Sequence, residues 1–113
     1  MTFRKSLTVT ARSMATVLLY MQLASCACAE NIRVDDWKPR SYVPMTASVG
    51  DTVTFTWPRG YHNVYAHPTG SCSVFGSTLV GYNPGATYTF AEPGMLAFAC
   101  HVGNNCRDGQ IVW

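Results

Sequence analysis

The chain has 113 residues, of which 48% are hydrophobic and 12% charged, with a formal net charge of +2. A chain this short builds one small domain around a modest core. Its positive charge is concentrated in Arg4, Lys5 and Arg12, while residues 30–113 carry five basic side chains against six acidic ones, which excludes a basic patch for nucleic acid.

The basic N-terminus leads into a mostly apolar run, 14–23, with Ala27-Cys28-Ala29 behind it. Basic, apolar and small-x-small segments in that order describe a secretory signal peptide, residues 1–29, cut after Ala29. Residues 30–113 are then a secreted, extracellular domain. The apolar run is short for a spanning helix and no second one follows, so no transmembrane segment is expected in the mature chain. Leu23-Ala24-Ser25-Cys26 also fits a bacterial lipoprotein box, which would instead anchor the product through Cys26.

Past the leader, strand signals dominate and no helical periodicity bounded by caps is found. Residues 31–37 read as a short strand ended at Pro39, and 43–49 as an edge-like run, because Pro44 cannot donate to a ladder. After the turn at Gly50-Asp51, residues 52–57 alternate, with Val53, Phe55 and Trp57 on one face and three threonines on the other. Pro58-Arg59-Gly60 breaks this strand, and 61–66 resumes it. The span 67–84, rich in Pro, Gly, Ser and Asn, reads as a loop with at most one short strand. Residues 87–90, 95–102 and 110–113 complete the set. About seven short strands with close turns predict an all-β Greek-key sandwich or barrel, with Trp37, Phe55, Trp57, Tyr88, Phe90 and Phe98 in its core.

The chemistry lies in Cys72 and in the run Cys100-His101-Val102-Gly103-Asn104-Asn105-Cys106-Arg107-Asp108-Gly109-Gln110. Thiolate, imidazole and amide oxygen are all metal ligands, and their softness favours copper or zinc over magnesium or calcium. Three mature cysteines in an oxidising compartment suggest one disulfide and one thiol kept apart, with all three pairings open on counting alone. No paired carboxylates and no nucleophile with its base and orienting group have a recognisable spacing, so an enzyme is not expected.

Val49-Gly50-Asp51-Thr52-Val53-Thr54-Phe55 followed by Tyr61-His62-Asn63-Val64 resembles the first half of a phytocyanin. The second half is similar in Tyr88-Thr89-Phe90, Pro93-Gly94, and Phe98-Ala99-Cys100 through Cys106 to Gly109-Gln110. Phytocyanins are the secreted plant-type blue-copper cupredoxins: stellacyanins, plantacyanins and the early-nodulin-like group. The resemblance implies a cupredoxin-like Greek-key β-sandwich with one disulfide, Cys72–Cys106. It implies copper held by His62, Cys100 and, as weak axial ligand, Gln110. The family's second histidine ligand falls on Asn105, where this chain departs from the pattern. A blue-copper plane wants two imidazoles and one thiolate, so the site is expected to be incomplete.

Neither His67 nor His101 is expected to replace the missing imidazole. His101 follows Cys100 directly and should point to the opposite face of the strand. His67 has the wrong parity relative to His62 and lies past the expected strand end. The expected function is therefore copper binding with single-electron transfer, by a monomer, to a redox protein or small-molecule electron partner. The alternative is a copper-free, nodulin-like extracellular binding module on the same scaffold.

Overall fold

The computed structural model describes residues 2–4 and 28–113. The expected leader falls mainly outside that set, as does Cys26. The described residues form ten strands and no helix: β1 (Thr2–Arg4), β2 (Asn31–Val34), β3 (Thr46–Ser48), β4 (Thr52–Phe55), β5 (Val64–His67), β6 (Thr78–Gly81), β7 (Ala86–Thr89), β8 (Gly94–Met95), β9 (Ala97–Ala99) and β10 (Ile111–Val112). No helix among them is long and apolar enough to cross a membrane.

Two sheets make the sandwich. In the first, β4 lies between β2, to which it is parallel, and β7, to which it is antiparallel. The second has the order β10-β9-β5-β6, with every pair antiparallel. A third, smaller sheet sets β1 between β3 and β8.

The alternation in β4 explains why the first sheet has one wet and one dry face. Val53 and Phe55 are fully buried, while Thr54 bonds outward to Thr87 Oγ1 at 2.9 Å and accepts from Asn31 Nδ2 at 3.0 Å. The buried faces of the two sheets meet in an aromatic cluster. Phe98 of β9 stands 5.2 Å from Phe55 and 5.3 Å from Tyr88, ring centre to ring centre, and Trp37 packs edge-on against Phe55 at 4.9 Å. Rings at such separations and tilts add to the energy of burial. Of the six aromatics expected in the core, five are buried and Tyr88 packs against the cluster from its margin.

Several boundaries differ from the sequence reading. The strand expected over 31–37 stops at Val34, because Asp36 takes a left-handed backbone (φ 59°). That reversal turns Trp37 into the core while its N–H still donates to Thr56 O at 2.9 Å. The strand expected from residue 61 starts at Val64 and runs on through His67, so His67 lies within β5 and not beyond it. The 95–102 strand is divided at Leu96 into β8 and β9. The 67–84 loop does hold one short strand, β6.

Candidate metal centre

The centre is assembled at one end of the sandwich by two connections. β9 delivers Cys100 just past its last residue, and β10 begins just after Gln110. The two face each other across the antiparallel pair, where the Cys100 N–H donates to Gln110 O at 3.1 Å. The intervening loop folds back tightly: the N–H of Asn105 donates to Val102 O, and that of Gln110 to Asn105 O at 2.9 Å. Gly103 and Gly109 take the left-handed conformations that this path requires, with φ of 53° and 106°. Cys106, in the same loop, is bonded to Cys72, the pairing implied by the phytocyanin resemblance. Cys100 is left as a free, fully buried thiol.

His62 enters from the segment just before β5. Its Nδ1 lies 3.8 Å from Cys100 Sγ. A cation about 2.0 Å from an imidazole nitrogen and about 2.3 Å from a thiolate, at a trigonal angle, sets those two atoms about 3.7 Å apart. The separation is thus one that a soft metal can span. Asn105 closes the third side, its Nδ2 being 3.4 Å from His62 Nδ1 and 3.6 Å from Cys100 Sγ. An amide nitrogen is no ligand, and only a half-turn of that amide would present its oxygen. Gln110 is fully buried, and neither its Oε1 nor its Nε2 has a hydrogen-bond partner among the described residues. Burying an amide unpaired costs about 1–3 kcal/mol, so a buried Gln in this place suits a residue whose oxygen contacts a metal.

The donor set is correspondingly unusual. Among the described residues no three His, Cys, Asp or Glu side chains converge on a point. What converges is one imidazole, one thiol and the Asn105 carboxamide, with Gln110 held to the Cys100 backbone at the next strand's start; this is a weaker plane than two imidazoles and a thiolate.

Two supporting residues escaped the sequence reading. Asn63 Oδ1 accepts the His101 N–H at 2.7 Å, and its own carbonyl accepts from Trp37 Nε1 at 3.0 Å. It therefore ties the His62 segment both to the Cys100 strand end and to the core. Gly60 has φ 84°, and a Cβ there would sit 3.1 Å from His62 Nε2. In the sequence Asn63 stood only within the Tyr61-His62-Asn63-Val64 motif and Gly60 only within the Pro58-Arg59-Gly60 turn, with no role marked for either position. His67 and His101, set aside as ligands, come together elsewhere, with their Nε2 atoms 2.6 Å apart. His101 also packs edge-on to Tyr65, ring centres 5.1 Å apart. No protein-family model, curated protein or solved structure matches the chain.

Proposed function

We propose that this chain is a secreted, phytocyanin-like cupredoxin that binds copper through Cys100, His62 and Gln110 and passes single electrons. The observation that carries the reading is a buried thiol with an imidazole at 3.8 Å, beside a strand end whose buried Gln110 amide has unpartnered atoms. Copper, when bound, supplies one-electron chemistry by cycling between its two common oxidation states. The protein's part is to hold and shield. Cys100 is kept from water by the core in which it is buried, and the Cys72–Cys106 bond fixes the loop between the donors. His62, half-buried, reaches from the centre towards the surface, where an electron partner could approach. No substrate is turned over.

Addition of Cu(II) to the purified protein is expected to give a thiolate-to-copper visible band that is lost in Cys100→Ser. Asn105→His should strengthen and narrow it by supplying the second imidazole. A colourless wild type would remove the electron-transfer reading.

A second reading rests on Asn105 itself. Its Nδ2 donates to Cys100 Sγ at 3.6 Å, so an amide already occupies the place where the second imidazole would stand. On that reading the chain is a copper-free extracellular binding module. A protein purified without metal and colourless with Cu(II), yet turned blue by Asn105→His, would establish it.

A further inference from the structure

The turn at 58–60 separates two surface hollows, of about 550 Å³ and 240 Å³, and Trp57, Pro58, Arg59, Gly60 and His62 line both. The larger is completed by the 36–39 segment. Its volume falls within the range of about 300–1,000 Å³ usual for small-molecule sites. Pro39, Trp57 and Pro58 give it apolar walls, and the imidazole edge of His62 borders it. Because Gly60 lies against Nε2 of His62 while Nδ1 faces Cys100, this one ring spans from the hollow to the candidate metal centre.

The charges around the hollow are unequal. Lys38 is paired with Asp36 at 2.9 Å, which leaves Arg59, exposed at the tip of the turn, without a carboxylate among the described residues. A planar guanidinium beside apolar walls suits a carboxylate on an aromatic ring, because the fork can grip both oxygens while the ring lies against the prolines and the exposed edge of Trp57. A phosphate would find a single unpaired cation and no ring of donors. A neutral apolar ligand would leave Arg59 unused.

We propose that this hollow binds a small aromatic carboxylate, with Arg59 as its counter-ion and Trp57, Pro58 and Pro39 as its walls. The site does not depend on copper, so its failure would leave the electron-transfer reading standing. The test is a titration of the metal-free protein, followed by amide NMR, with 4-hydroxybenzoate, its methyl ester and acetate. The aromatic acid should give saturable shifts confined to residues 36–39 and 57–62. The ester, acetate and the Arg59→Gln variant should each bind about tenfold more weakly, the loss expected for one charge-assisted hydrogen bond or one apolar ring. Arg107→Gln, which removes an exposed arginine elsewhere, should leave binding unchanged. Equal affinity for acid and ester, shifts that map elsewhere, or no saturation below about 10 mM would each overturn the proposal.

Discussion

Asp51 shows how much a single side chain can hold in so small a protein. It is buried, and its two carboxylate oxygens accept the N–H of Glu30 at 2.9 Å and of Ser48 at 2.8 Å. It thereby fastens the entry to β2 and the end of β3 to the start of β4. Asp51→Ala would leave two backbone donors without their acceptor, and a loss of about 2–4 kcal/mol is expected, read as a lowered urea midpoint with unchanged slope. At Gly60 the expected effect is on the site. An alanine there must adopt φ 84° and push its Cβ to within 3.1 Å of His62 Nε2, at a cost of about 1–2 kcal/mol. If His62 is a ligand, Gly60→Ala should also shift the copper band, whereas an unchanged band would show that the imbalance is absorbed in the turn. Of the candidate site, His62, Cys100, Gln110 and the altered position 105 were singled out in the sequence because ordered motifs carry them. The roles of Asn63 and Gly60 were not legible, although a motif and a turn contain them, because a backbone-bridging amide and a glycine that makes room for a ring leave no spacing pattern.

Among the elements, legibility followed the one-sided burial of each strand. β4 alternates between partly and fully buried residues, and that period was plain in Val53, Phe55 and their threonine neighbours. β6 buries neither face fully, so Leu79 and Val80 sit in a run with no period to read. His67 was placed outside its strand because the span rich in Pro, Gly, Ser and Asn begins there, yet its pairing with Ala97 keeps β5 extended up to that residue. The loop between β9 and β10 owes its shape to the glycine conformations and to the disulfide, which joins residues 34 apart. Closing a loop of that length stabilises the fold by about 4 kcal/mol on the chain-entropy account. The double variant Cys72→Ala/Cys106→Ala should therefore melt well below the wild type by differential scanning calorimetry. Because Cys106 follows Asn105 directly, the variant should also bind Cu(II) more weakly, and retention of full affinity would show that the loop needs no anchor.

At the scale of the whole molecule, the pH dependence of stability reports on a histidine pair that the proposed function does not use. His67 is 1% exposed on β5, facing away from the aromatic core, and its Nε2 meets Nε2 of His101 at 2.6 Å. Its Nδ1 is buried without a partner among the described residues. One proton between the facing nitrogens satisfies the neutral pair, and a further one would make one ring a cation and set two N–H groups against each other. Burial first, and then the neighbouring His101, hold the His67 pKa below its usual value of 6.5. The unfolded chain takes up a proton there as the pH falls through about 6.5, whereas the folded chain resists until lower pH. Unfolding is thus coupled to proton uptake, so stability is fully present above about 6.5 and declines as the pH falls from there towards the lowered folded-state value. Urea midpoints measured at pH 7.5 and 5.0 should fall more for the wild type than for His67→Leu, which removes the titrating group and leaves an apolar side chain of similar bulk in its place. An equal fall in both proteins would show that His67 is not the titrating group and would assign the acid sensitivity to others, among them His101, whose pKa burial also lowers.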